Sequence, residues 1–215
     1  TLSLHDALPI YIKDKLLRMN TDLPFYLIQN YPRVRIQAEN YVRDYYKKSE
    51  FIRDEERIEI RFIDIIERIK NIHELTDEQA QILYDLEIEA ELESVEAKSD
   101  KLKILYSLLD KYQDVILVSD MYLPKEVILK MLNKVDPKLT ELPLYLSSEI
   151  GDQKSTSLLY LDIFEDLDYD YSEWIHFGDN RHTDFNIPKK LNIKPIHHSL
   201  TRSEERRVGK ECRSR

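Results

Sequence analysis

Hydrophobic residues recur at helical spacing in the first half of the chain and gather into short runs in the second half. The isoleucines within residues 63–69 form a row typical of one helix face. Thr76 and Gln79 have the spacing of a capping box, which predicts the start of a further helix. The first glycine of the chain is Gly151, so nothing breaks this helical pattern early. We therefore predict an all-helical subdomain over residues 20–98.

After this subdomain, short β-branched and aromatic runs predict strands that alternate with helices. The stretch Arg57–Phe62 also alternates apolar and polar residues, and its pattern leaves strand and helix both open. The predicted strands lie at residues 115–118, 144–146, 174–177 and 195–198. Alternating strands and helices are typical of right-handed βαβ units. The expected fold class is therefore α/β, with a doubly wound, Rossmann-like parallel sheet core over residues 99–201.

Both chain ends look like translated sequencing adapter. Residues 1–10 can be written in the codons of a common short-read adapter, and residues 202–212 in the codons of its reverse complement after one added base. One DNA sequence thus explains both termini. We set residues 1–10 and 202–215 aside as not native, and we expect residues 11–19 to be the remnant of a first strand.

The remaining chain is acidic and has no cysteine. Without 6 of the 32 basic and 4 of the 41 acidic residues, its net charge is −11. Phosphate backbones are bound by Lys/Arg clusters, so we predict no nucleic-acid partner. The single cysteine, Cys212, belongs to the adapter tail, which fits a reducing cytoplasm. No apolar run approaches the ~20 residues of a spanning helix, so no membrane span is predicted.

Polar side chains stand at the ends of three predicted strands. Ser119 and Asp120 precede a helix, where a hydroxyl and backbone N–H groups can cradle an anion. Lys154 follows the next strand and could neutralise phosphate. Asp179 and Asp184 follow the third strand, and two carboxylates with phosphate oxygens suit Mg²⁺. Taken singly, each has a plainer interpretation as a helix cap, a solvated charge or a turn.

The order of these groups resembles motifs two, three and four of the haloacid dehalogenase (HAD) superfamily. That likeness covers nearly the whole native part. A bacterial branch often associated with glycosyltransferases is similar in four stretches: Arg35-Ile-Gln-Ala-Glu39, Ser119-Asp-Met-Tyr-Leu-Pro124, Ser147-Ser-Glu149 with Lys154, and His176-Phe-Gly-Asp-Asn180.

The resemblance implies roles for each group. Ser119, with Asp120 and Lys154, would bind the phosphoryl group, and Lys154 would orient a nucleophile. Asp179 would hold Mg²⁺, assisted by Asp184. The fold implied is a HAD-like sheet core with the helical subdomain inserted as a cap. The activity implied is Mg²⁺-dependent hydrolysis of a small phosphorylated metabolite through an aspartyl-phosphate.

The family's first motif, which carries the aspartate nucleophile, is not intact here. Alignment places Tyr11 at the nucleophile and Asp14 at the later acid of that motif. The first base of the Tyr11 codon belongs to the adapter, so the natural residue could be aspartate. As translated, the chain is expected to be inactive. The alternative is a non-catalytic HAD-like binding or scaffold domain in surface-polysaccharide or glycosyltransferase systems.

Overall fold

Helices dominate this computed structural model, which describes residues 4–49, 57–112, 114–167 and 169–198. The helices are α1 (Leu4–Arg18), α2 (Phe25–Ser49), α3 (Phe62–His73), α4 (Asp77–Ser94), α5 (Ser99–Leu109), α6 (Lys125–Val135), α7 (Ser147–Ile150), α8 (Leu158–Asp166) and α9 (Ile187–Lys190). The strands are β1 (Leu117–Ser119), β2 (Leu144–Leu146), β3 (Ile175–Gly178) and β4 (Lys194–His197). Short 3₁₀ turns lie at Pro137–Glu141, Lys154–Thr156 and Tyr171–Glu173, and a π-helix spans Arg181–Asn186.

The strands form two separate parallel pairs rather than one sheet. β1 pairs with β2, with Ser119 opposite Leu146, and β3 pairs with β4, with Gly178 opposite His197. The prediction of a HAD-like doubly wound parallel sheet core is therefore wrong for this chain. Each strand has only three or four residues and most of them are partly exposed. Parallel sheets are normally buried on both faces, and these strands do not reach that burial.

The predicted first-strand remnant, residues 11–19, is also helical up to Arg18. Ile12 and Leu16 are fully buried against the helices, and Leu8 packs beside them in the same row. Residues four apart share one helix face, and burial of that face favours helix over strand. The adapter origin of residues 1–10 stays a prediction, and the tail at 202–215 lies outside the described residues.

The capping box predicted before α4 is confirmed. Thr76 Oγ1 accepts from Gln79 N at 3.2 Å, and Gln79 Oε1 accepts from Thr76 N at 3.0 Å. The open stretch Arg57–Phe62 is not a strand, since α3 begins at Phe62. Ile58 N and Glu59 N instead donate to the Gly151 carbonyl.

A large apolar cluster, called here the main core, joins the helical region to the β1–β2 pair. It contains residues of α1 to α4 together with Leu123, Val127, Ile128 and Leu146. Tyr31, Phe62 and Leu83 are its fully buried members with the largest side chains in α2, α3 and α4. The helices and the β1–β2 pair therefore share this core.

A smaller cluster, called here the second core, underlies the β3–β4 pair. Tyr160, Ile187 and Ile193 are buried there, with Tyr171, Trp174 and Leu191 packed against them. Among the residues that the structure describes, no helix is both long and apolar enough to cross a membrane. Three of the polar groups singled out in the sequence, Asp120, Lys154 and Asp184, meet where the segments of these two cores adjoin.

Candidate functional site

The end of β1 carries Ser119 and Asp120, followed by a loop that α7 holds in place. Ser147 Oγ accepts a hydrogen bond from Met121 N at 2.8 Å. Ser148 Oγ donates to the Leu123 carbonyl at 2.8 Å. The two adjacent serines at the start of α7 thus fix the backbone directly after Asp120.

Lys154 is buried and bridges the two cores. Its backbone N donates to Asp120 Oδ1 at 2.9 Å, and its Nζ lies 2.6 Å from Asp184 Oδ1. The side chain retains only 11% exposure and that of Asp184 only 6%. Asp120, Lys154 and Asp184 come from three separate segments of the chain, and the structure brings them into one cluster.

Asp184 accepts hydrogen bonds on both carboxylate oxygens. His176 Nε2 lies 3.1 Å from Oδ1, and Asn180 N donates to Oδ2 at 3.0 Å. Burial alone would disfavour the charged form, but the hydrogen bonds from His176 and Lys154 and the charge of Lys154 outweigh it. The pKa of Asp184 is therefore held well below its usual range.

The second carboxylate of the cluster behaves in the opposite way. Burial raises the pKa of Asp120, although the hydrogen bond from Lys154 N lowers it in part, and nearby Asp184 adds to the rise. The pKa of a buried carboxylate is raised when nearby cations and hydrogen bonds do not offset the hydration that it has lost. Asp120 is therefore the member of this cluster best able to gain from an arriving cation.

Gly178 is required by the close approach of Asp184. A Cβ at position 178 would lie 2.5 Å from Asp184 Cβ, Cγ and Oδ2. No side chain fits that gap without moving the carboxylate. Asn180 then caps the following π-helix, since its Oδ1 accepts from His182 N at 2.9 Å and from Thr183 N at 3.1 Å.

The structure does not bring every predicted site residue into the cluster. Asp179 is exposed, and within the described part of the chain only its carbonyl is held, by His197 Nε2 at 3.0 Å. Ser119 ends β1 half-buried, and no hydrogen bond within the described ranges joins it to Lys154 or Asp184. Asp14 lies exposed on α1, where its neighbour Tyr11 donates to Glu93 Oε2 on α4 at 2.7 Å.

Two contributors were missed in the sequence interpretation. His176 was quoted only as part of a motif, yet it contacts Asp184, and the Tyr160 hydroxyl lies 3.2 Å from its Nε2. Tyr160 also donates to the Thr183 carbonyl at 2.8 Å. A signal for His176 was present, because alternate residues of a strand share a face and His176 therefore lies on the same face as Gly178. No comparable signal marked Tyr160.

The donor set fits Mg²⁺ only in part. The described residues contain no group of three or more His, Cys, Asp or Glu side chains placed to hold a metal. Asp184 is already occupied by its hydrogen bonds, which leaves Asp120 and Asp179 as candidate carboxylates. Mg²⁺ commonly uses one or two carboxylates, several waters and substrate phosphate oxygens. Such a cation would accordingly bind together with a phosphate.

The chain matches no protein-family model and no curated protein sequence. A function is therefore inferred from the geometry of the cluster together with the order of the sequence motifs.

Proposed function

We propose that this chain carries the phosphate-binding site of a HAD-type, Mg²⁺-dependent phosphatase of small metabolites. The observation that carries the proposal is the buried contact of Lys154 Nζ with Asp184 Oδ1 at 2.6 Å, next to Asp120. The ammonium of Lys154 pairs with Asp184 while its backbone N–H holds Asp120, so this lysine is positioned to meet an anion when a cation joins the cluster. The proposal rests on this cluster and on the motif order, not on the sheet architecture.

The cluster is suited to binding phosphate and Mg²⁺ jointly. The cluster contains two carboxylates, Asp120 and Asp184, and one ammonium, so phosphate alone meets net negative charge. A divalent cation at Asp120 or Asp179 would reverse that balance and bridge to phosphate oxygens. Lys154 would then supply the remaining positive charge. Phosphate affinity is therefore expected to depend strongly on Mg²⁺.

This chain as written is proposed to bind without turning substrate over. Tyr11 stands at the position of the nucleophile, and the hydrogen bond to Glu93 raises the pKa of its hydroxyl further. A protonated phenol on α1 offers no carboxylate for an aspartyl-phosphate. Asp14 is exposed on the same helix, and no hydrogen bond or ion pair among the described residues joins it to the cluster.

The test is calorimetric titration of inorganic phosphate with and without Mg²⁺. Mg²⁺ should tighten phosphate binding by at least about tenfold, equivalent to 1.4 kcal/mol. Lys154→Gln should abolish that gain, whereas the control Lys125→Gln, on the exposed start of α6, should preserve it. An aryl phosphate should not be hydrolysed. Hydrolysis of the aryl phosphate by this chain that is lost in Asp184→Asn would contradict the proposal that the nucleophile is missing.

The alternative is a non-catalytic binding or scaffold domain in a glycosyltransferase system. The placement of Tyr11 and Asp14 on α1, away from Lys154, favours it. Under this alternative, phosphate binding would be insensitive to both Mg²⁺ and Lys154→Gln. A parent protein with aspartate at position 11 would then also fail to hydrolyse a panel of phosphorylated metabolites.

A further inference from the structure

A cavity of about 330 Å³ opens beside Asp120 on the side of the helical region. It shares Asp120 with the phosphate cluster, and Gln153 in its wall directly precedes Lys154. The lining residues come from α2, the segment before α3, the loop after β1 and the turn after α7: Arg43, Glu59, Asp120, Met121, Tyr122 and Gln153. A ligand group in this cavity would adjoin a phosphate at Lys154.

The volume limits what can enter. Pockets for small molecules span about 300–1,000 Å³, so this one is at the small end. A single ring with its substituents fits such a space. A dinucleotide or a peptide does not.

The only aromatic ring of the lining is already covered. The guanidinium carbons of Arg35 and Arg43 lie 5.6 and 5.8 Å from the Tyr122 ring centroid. Phe62 packs at 6.2 Å between ring centroids. Because these groups occupy the surroundings of the ring, it offers no platform for stacking a nucleobase.

The charges of the wall disfavour a second anion. The guanidinium of Arg43 is paired with Glu39 at 2.8 Å and with Glu59 at 3.5 Å. Burial raises the pKa of Glu59, because Arg43 and the hydrogen bonds to this carboxylate do not fully offset its lost hydration. Arg43 is thus shared by two carboxylates, and the described lining holds no other cation. A carboxylate or second phosphate on the ligand would therefore have no cationic partner in this wall.

Gln153 keeps hydrogen-bonding capacity for a neutral group. Its Nε2 donates to Glu59 at 3.2 Å, and its Oε1 accepts from the Ser155 hydroxyl at 3.1 Å. An amide has two donors and two acceptor lone pairs, so one of each is still unused by these two bonds. A hydroxyl group can pair with both.

From these four observations we infer that the cavity holds the hydroxyl-rich, uncharged part of a monosaccharide-sized phosphate ester, with Gln153 as a specificity-determining residue. This inference rests on the proposed function, since the phosphate of the ester occupies the Asp120–Lys154 cluster. It adds the chemical class of the substrate and a residue that reads it.

The experiment compares four ligands by calorimetry in Mg²⁺: inorganic phosphate, a hexose monophosphate, phosphoglycolate and adenosine monophosphate. The hexose ester should bind about tenfold tighter than phosphate, since a few net hydrogen bonds account for that ratio. Phosphoglycolate and the nucleotide should bind no tighter than phosphate. Gln153→Met should reduce the hexose advantage to about threefold or less, with phosphate affinity unchanged.

Tyr145→Phe is the matched control, because Tyr145 lines another cavity of about 330 Å³ away from Asp120. It should leave all four affinities unchanged. Phosphate binding with no preference for the hexose ester would overturn this inference and leave the proposed function standing, and that comparison needs no variant. A hexose preference that survives Gln153→Met in a folded protein would also overturn it. If neither phosphate nor any ester binds, the proposed function fails and the inference fails with it.

Discussion

One buried ion pair network lies in the main core and another buried ion pair lies at the edge of the second core, and the two have different surroundings. In the main core, Arg35 Nε contacts Glu87 at 2.8 Å and Nη1 contacts Glu39 at 2.8 Å, between α2 and α4. Many fully buried apolar side chains surround that network. Lys154 and Asp184 instead meet where the second core, with three buried apolar residues, joins the rest.

The difference in surroundings indicates a different role for each ion pair. Burial lowers the pKa of Arg35, but the attraction of Glu87 outweighs that effect and the pKa is raised. The guanidinium therefore adds an ionic contact between helices that are already held together by apolar packing. Lys154 and Asp184 join segments that share little apolar surface, beside a cavity. The first network is structural, and the second is the one that we propose to bind phosphate.

The largest effect is expected from Arg35→Met in the main core. It leaves Glu87 buried without its cation and leaves Glu39 with Arg43 alone, and breaking a buried pair costs about 3–5 kcal/mol. Urea denaturation should show a loss toward the upper end of that range, spread over the whole molecule. Arg61→Met is the control, because the Arg61–Asp64 pair is half exposed and contributes at most about 1 kcal/mol. Equal losses in the two variants would contradict the assigned role.

Lys154→Met should come next, with a loss of about 3 kcal/mol, because Asp184 keeps its bonds from His176 and Asn180. Hydrogen exchange should show the loss in β3 and β4 before α2 and α4. Replacing both partners, Lys154→Met with Asp184→Leu, should recover part of the stability. Lys70→Met, which breaks an exposed pair with Asp77, is the matched control. Uniform loss of protection across both cores would break the proposed distinction between them.

Gly178→Ala is expected to cost about 1–3 kcal/mol, because its Cβ overlaps Asp184. The same change should weaken phosphate binding in Mg²⁺. Gly151→Ala is a useful comparison, since Gly151 has φ +106° and its Cβ would lie 2.8 Å from Arg57 Cβ. Both variants should lose stability, and only Gly178→Ala should change ligand affinity. Unchanged affinity in Gly178→Ala would contradict the role of Asp184.

The smallest expected effect is the loss of folding stability in acid that results from protonation of Asp184. Its folded pKa lies below the ordinary 3.8, so the unfolded state binds the proton first as the pH falls. The stability that it contributes is present above about pH 4 and is lost below it, by up to about 1 kcal/mol between pH 4 and 3. Asp120 contributes with the opposite sign, because its pKa is raised. Urea titrations of the unsubstituted chain and Asp184→Asn at both pH values measure the difference, and parallel pH profiles would refute it.

The local elements followed largely from the sequence. The capping pair Thr76 and Gln79 determines the start of α4 through bonds between near neighbours, which need no distant partner. The strand at Leu144–Leu146 lies where its apolar run predicted it. Asp179 and Asp184 were both predicted as site carboxylates, and the structure buries Asp184 and leaves Asp179 exposed.

Tertiary contacts decided the rest. The motif alignment predicted a strand at residues 11–19. Residues 11–18 form a helix instead, because this places Ile12 and Leu16 against the other helices. The strands stayed in two pairs because short, partly exposed strands bury too little surface to form one sheet. The partnership of Lys154 with Asp184 and Asp120, and the role of Tyr160, depend on segments that are distant in the chain and meet only in the folded protein. Local pattern determines which residues carry the chemistry, whereas long-range burial determines which of them meet.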